Sequence, residues 1–142
     1  ALGLGADLVV DPVHDDVSAV LSANTRNIDV VIECVGRVET ISDAIEWAGM
    51  GATVMMYGLA GPDDEVAVKP DVVFKKELTL TASFINPYTF GRAVALLESG
   101  KIRVRDLITD RVDLEDSIEV FTDDAYRRRG KIMICPGGGG SA

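Results

Sequence analysis

Apolar and polar positions along the chain follow two rhythms, one of strands and one of helices. Leu8-Val9-Val10 stands between Asp7 and the turn signal Asp11-Pro12, a short apolar run of the kind a buried strand makes. Asp15 or Asp16 then offers an N-cap, and Val17, Val20 and Leu21 at helical spacing predict a short amphipathic helix to about Asn24, broken by Asn24-Thr25-Arg26-Asn27. From Ile28 to Gly36 the β-branched positions are consecutive instead of alternating, which predicts a strand covered on both faces. Val38, Ile41, Ala44, Ile45 and Ala48 recur at three and four, one face of a helix that Gly49 and Gly51 terminate. A second buried strand over residues 52–57 ends at Gly58, and residues 60–64 read as a loop.

Leu78-Thr79-Leu80-Thr81-Ala82-Ser83-Phe84 alternates with period two, as expected of a strand nearer the sheet edge. Asn86-Pro87 then caps a helix with Phe90, Val94 and Leu97 on its apolar face, closed by Ser99-Gly100. Asp113 and Asp116 flank the start of a further helix with Ile118 and Phe121 inward, and residues 131–135 form a last strand after Gly130. Strands alternating with helices at these spacings predict an α/β fold with a mainly parallel sheet. Ligands bind outside the carboxyl ends of such strands. Gly36, Gly58 and the Ser83-Phe84-Ile85-Asn86 stretch all fall there, so if the three strands are neighbours they line one rim. Each glycine either admits a ligand close to the backbone or merely turns the chain.

Composition narrows the picture. In 142 residues, 47% hydrophobic and 26% charged residues indicate one globular domain, and no apolar run is long enough for a membrane helix. A net charge of -9 repels phosphate backbones and argues against nucleic acid as a partner. Cys34, Cys135 and the single histidine His14 are too few and too scattered for a disulfide framework or a zinc cluster, and a cytoplasmic compartment is the expectation. Cys34 reads as a packed thiol, His14 as a surface histidine, and Trp47, Met50, Met55 and Met56 as core. Glu33, inside an apolar strand, is either a functional carboxylate or one paired by a neighbouring helix. Arg127-Arg128-Arg129 reads as a solvated helix end that complements the dipole.

The combination of Leu4-Gly5-Ala6-Asp7, Val9-Val10-Asp11-Pro12, Asp29-Val30-Val31-Ile32-Glu33-Cys34-Val35-Gly36 and Tyr57-Gly58-Leu59 resembles the cofactor-binding domain of medium-chain zinc-dependent alcohol dehydrogenases. Residues 77–87, 96–102, 107–109 and 130–132 continue the match, so that it covers residues 1–135, and the wording from Ser83 to Pro87 leans toward the sorbitol and threonine dehydrogenase branches. The resemblance implies a Rossmann-type doubly wound sheet lacking its first two strands, in residues 1–135, followed by a flexible Gly-rich tail, 136–142. It also implies a nicotinamide dinucleotide, NAD or NADP, with Val35, Gly36 and Arg37 along its adenosine half and Tyr57, Gly58 and Leu59 along the nicotinamide. Backbone groups of Ser83, Phe84 and Ile85 would meet the carboxamide, and Lys131 would lie near the phosphates unless it is an ordinary solvated lysine.

Two parts of the family pattern are absent: the Gly-rich fingerprint that seats a pyrophosphate would precede Ala1, and so would the catalytic domain with its zinc ligands. We therefore expect the chain to be the C-terminal part of an alcohol or polyol dehydrogenase, inactive by itself, with no catalytic or metal-ligating residue of its own. A homo-oligomer joined through sheet edges is also expected by resemblance. The rival expectations are a zinc-free quinone or enone reductase of the same superfamily, and a non-catalytic α/β module that binds a nucleotide or a protein. With two strands missing, the Leu8 to Val10 strand must be displaced, swap to another chain or pair beside residues 30–35; otherwise the latter leave an open apolar edge.

Overall fold

The computed structural model describes residues 1–85, 88–127 and 129–137, and its chain divides into two compact units, Leu8–Tyr88 and Ala1–Asp7 with Thr89–Ala142. In the first unit, α1 (Val17–Asn24) starts where Asp16 caps it, the carboxylate accepting the Ala19 N–H at 3.0 Å. The strands β1 (Val30–Glu33), β2 (Thr53–Met56) and β3 (Thr79–Ala82) form a parallel sheet in the order β1-β2-β3, with Val30 opposite Thr53 and Thr53 opposite Thr79. Between β1 and β2 the chain crosses over through α2 (Val38–Trp47), as parallel pairing demands. The predicted face of this helix is the one it buries: Ile41, Ala44, Ile45 and Ala48 pack on Ala52 and Val54, with Val31, Met56 and Leu80 at the margin.

A helix not foreseen from the sequence, α3 (Pro70–Lys76), leads into β3. Pro70 occupies its first position, where no N–H is needed, and Glu77 closes it in the left-handed region at φ 52. Its last residue ties it to α2, because the Lys76 ammonium donates to the carbonyls of Glu46 at 2.7 Å and Ala48 at 2.9 Å, at the helix end that lacks partners of its own. Replacing it, Lys76→Met, leaves the aliphatic stem and removes the donor. Urea unfolding is expected to show a loss of about 1–2 kcal/mol with an unchanged slope. At the same end of the crossover, Asn27 holds the turn after α2: its Oδ1 accepts the Met50 N–H at 2.8 Å.

The second unit contains α4 (Phe90–Glu98), β4 (Ile108–Asp113), α5 (Ser117–Thr122), α6 (Asp124–Arg127) and β5 (Lys131–Cys135). β4 and β5 pair in parallel with a register shift between Ile108 and Asp110, and Val112 is the buried hydrophobic residue there. Gly100, at φ 67, ends α4 by donating its N–H to the Leu97 carbonyl at 3.1 Å.

Several expectations are corrected. Leu8-Val9-Val10 is not a strand; this run of three apolar residues has no ladder partner among the described residues, and the polar groups beside it close a turn in which Asp11 N–H donates to the Asp15 carboxylate at 2.8 Å. β1 is not covered on both faces: Val30 and Ile32 are exposed, and β2 is its one strand neighbour among the described residues. Ile118 and Phe121 do not point inward but are 70% and 72% exposed, since α5 is short and, among the described residues, nothing covers that side of it. Phe90 on α4 is likewise exposed, and Asn86 and Pro87, expected to cap that helix, lie outside the described residues, as do Arg128 and residues 138–142 of the tail. Cys34 is exposed instead of packed, because alternation along β1 turns position 33 inward and leaves 34 at the rim. Met50 is exposed on the turn after α2, whereas Met56 does reach the core margin. Arg129 is more than a solvated helix end: it pairs with Asp110 and lies over the Tyr126 ring at 4.5 Å.

Candidate functional site

The carboxyl ends of β1, β2 and β3 lie side by side, and the residue that organises them is Glu33, the last of β1. At 5% exposure it is the buried charged residue of the unit, and a carboxylate in that position must be fully hydrogen-bonded to be tolerated. Oε1 accepts the Val35 N–H at 2.7 Å, the Gly36 N–H at 2.9 Å and the Thr40 hydroxyl at 2.8 Å, while Oε2 accepts the Gly36 N–H at 3.1 Å. Burial pushes the Glu33 carboxyl up, but the hydrogen bonds from Gly36, Thr40, Val35 and Gly58 together outweigh it and hold the group below its ordinary value of 4.5. Thr40 Oγ1 also accepts the Arg37 N–H at 3.3 Å, which fixes the entry into α2.

The backbone of the same residue engages the next strand. Glu33 carbonyl oxygen accepts the N–H groups of Tyr57 at 2.8 Å and Gly58 at 2.9 Å, so the loop after β2 folds directly against the loop after β1. Contact there leaves no room for side chains. A Cβ on Gly36 would lie 2.5 Å from the Leu59 carbonyl oxygen, and one on Gly58 would lie 2.1 Å from the Gly36 nitrogen and 2.6 Å from Glu33 Oε2. Gly36 moreover adopts φ +79. Both glycines thus serve loop-to-loop packing, a more specific need than turning the chain.

Nine of the ten residues singled out by resemblance fall on this rim. Val35, Gly36 and Arg37 follow β1, Tyr57, Gly58 and Leu59 follow β2, and Ser83, Phe84 and Ile85 follow β3. Val35, Tyr57, Leu59, Phe84 and Ile85 are all exposed, an apolar border around loops whose amides are largely committed. Ser83 N–H donates to the Met56 carbonyl at 3.2 Å, which extends the sheet one residue beyond β3, and Ile85 sits at φ 54. The Arg37 guanidinium is exposed, with Nε 3.9 Å from Glu39. Lys131 belongs to the second unit, where it is the exposed first residue of β5.

Sequence reasoning singled out Glu33 without deciding its role, and it overlooked Thr40. The signal was available in part, as a carboxylate three residues before a glycine and seven before a hydroxyl in the first turn of a helix. His14 is a surface residue as expected, 2.8 Å from the Asp11 carboxylate, and among the described residues no group of three or more His, Cys, Asp or Glu could hold a metal ion. No helix among the described residues is long and apolar enough to cross a membrane.

Parallel strands, a crossover helix and a rim of this kind match known proteins. A family model for zinc-binding dehydrogenases matches residues 1–99, and the chain belongs to that family. Among curated relatives, D-arabinitol dehydrogenase 1 of Uromyces fabae is 34% identical over 113 residues, 80% of this chain and 32% of that protein. Sorbitol dehydrogenase of Arabidopsis thaliana is 30% identical over 127 residues, 82% of this chain and 34% of that protein. Among solved structures, a protein described as a zinc-binding dehydrogenase from Sinorhizobium meliloti 1021, bound to NADP, is 30% identical with a TM-score of 0.83, covering 95% of this chain and 41% of that one. The chain spans about a third of the length of the curated relatives it matches.

Proposed function

We propose that this chain is the C-terminal part of an NAD- or NADP-dependent, zinc-containing dehydrogenase that transfers hydride between a polyol-like secondary alcohol and the nicotinamide. In this reading residues 1–135 belong to the dinucleotide-binding domain and 136–142 form a Gly-rich tail. The observation that carries it is the rim: three adjacent parallel strand ends, spaced so that the rim is roughly 10 Å across, with exposed apolar side chains on each. Family membership and the polyol dehydrogenases among the relatives support the same reading.

The residues present fit a flat, partly apolar ring system. Phe84 and Ile85 would flank the nicotinamide with Tyr57, Gly58 and Leu59, while Val35, Gly36 and Arg37 would border the adenosine, the Arg37 guanidinium stacking on or bonding to it. Lys131 would lie near the phosphates and offset their charge in an acidic chain. When bound, the nicotinamide supplies the hydride acceptor and zinc a Lewis acid for the alcohol oxygen. In this reading the zinc ligands belong to sequence outside residues 1–142. Assembly into a homo-oligomer through sheet edges, and a cytoplasmic location, belong to the same proposal.

Calorimetry with NADH and NADPH on the complete polypeptide containing residues 1–142 tests it. One dinucleotide is expected to bind, and Arg37→Ala is expected to weaken it about fivefold, which is roughly 1 kcal/mol. Secondary alcohols should be oxidised only with zinc present. Binding of neither dinucleotide, or enone reduction by a metal-free protein, would overturn the reading.

A further inference from the structure

The buried charge of the sheet, Glu33, carries a desolvation cost that its hydrogen bonds must offset. Its connections all lead to the rim. The carboxylate collects the amides of Val35 and Gly36 from the loop after β1 and the hydroxyl of Thr40 from the start of α2, and Oε2 lies beneath Gly58 of the loop after β2. The backbone carbonyl of the same residue holds Tyr57 and Gly58. One residue therefore links the loops that flank the two halves of the proposed ligand.

From this we infer that Glu33 is a positioning residue for dinucleotide binding, its carboxylate holding the loop of Val35, Gly36 and Arg37 in register with the loop of Tyr57, Gly58 and Leu59. Glu33 does not itself reach the ligand, being covered by the amides it accepts. The inference rests on the dinucleotide reading above. Glutamine at this position, with its amide oxygen in the place of Oε1, keeps an acceptor for Val35, Gly36 and Thr40 but loses the charge and turns an NH2 toward the Gly36 N–H at the Oε2 place, so the hold on the first loop is weakened while the sheet and α2 remain. Thr40 provides an independent handle on the same network. Thr40→Val removes the hydroxyl that donates to Glu33 at nearly constant volume, and Thr40→Ser keeps it.

The test is carried out on the complete polypeptide with NADH and NADPH as probes, using whichever binds. Glu33→Gln is expected to raise the dissociation constant and the cofactor KM about tenfold while kcat at saturation stays within about twofold, since only ground-state and transition-state binding together are weakened. Thr40→Val should weaken binding about threefold and Thr40→Ser should restore it, at RT ln 3 well within what calorimetry resolves. Hydrogen exchange at the Val35 and Gly36 amides should quicken in Glu33→Gln, with the α2 and β2 amides unchanged. Asp43→Asn, an equal change of charge at an exposed position of α2, is the control. If Glu33→Gln binds the dinucleotide as well as wild type, if Thr40→Val matches Thr40→Ser, or if Asp43→Asn weakens binding equally, the inference falls and the dinucleotide reading stands. If wild type binds neither dinucleotide, both fall. Should Glu33→Gln not fold, the Thr40 pair decides.

Discussion

Gly58→Ala is expected to destabilise the chain by about 3 kcal/mol, more than a methyl group placed at any glycine in open space. The backbone of Gly58 is not in the left-handed region, so the penalty is not one of dihedral strain. It comes from what the new Cβ meets: the Gly36 nitrogen at 2.1 Å, the Gly36 Cα at 2.7 Å and Glu33 Oε2 at 2.6 Å. Two of these are backbone atoms that a rotamer change cannot move, and the third is a carboxylate already committed to two amides and a hydroxyl. Relief requires the loops after β1 and β2 to separate, which breaks the Tyr57 and Gly58 hydrogen bonds to the Glu33 carbonyl. Gly51→Ala is the matched comparison. That glycine has φ +70 but nothing within 4 Å of its Cβ, so it incurs only the left-handed cost of about 1 kcal/mol. Urea denaturation of the two variants measures the difference directly. A loss below about 1 kcal/mol for Gly58→Ala would show that the loops are not locked together.

The contrast between these glycines shows where the sequence was legible. α2 and its face, the three parallel strands and the strand-end rim could be read, because each follows from local periodicity and from the requirement that a parallel pair be bridged. The Asp16 cap and the αL closure at Gly100 are likewise local, encoded within four residues. What could not be read depends on neighbours distant in sequence. Whether Val30 and Ile32 are covered is decided by what lies beside β1, not by their β-branched side chains, and Leu8-Val9-Val10 has the composition of a strand but no partner to pair with among the described residues. The same holds for Ile118 and Phe121, which have helical spacing on a helix of six residues with that side uncovered. On the rim, the positions came from family resemblance and strand topology, whereas the interlocking of Gly36 with Leu59 and of Gly58 with Gly36 spans more than twenty residues and has no local signature.

Glu33 gives the other large effect, and its sign can be derived. Glu33→Ala leaves the part-buried Val35 and Gly36 amides with their acceptor gone and the Thr40 hydroxyl with only the Arg37 carbonyl, and is expected to cost about 3 kcal/mol near pH 7. Glu33→Gln retains one acceptor and should cost about half as much. Because the folded carboxyl titrates below its ordinary value of 4.5, the ionised group stabilises the fold fully above that value, and its contribution is lost as the pH falls through the folded value. The gap in unfolding free energy between wild type and Glu33→Gln is therefore expected to be constant from neutrality down to about pH 5.5 and to narrow below about 4.5. Subtracting one protein from the other is essential, since the remaining Asp and Glu residues, of 23 in all, titrate in both. Denaturant melts at half-unit steps from pH 7 to 3 provide the measurement. A gap that stays flat or widens in acid would mean that the carboxylate is not the ionised acceptor that holds the loop after β1, and that the amides of Val35 and Gly36 are satisfied in some other way.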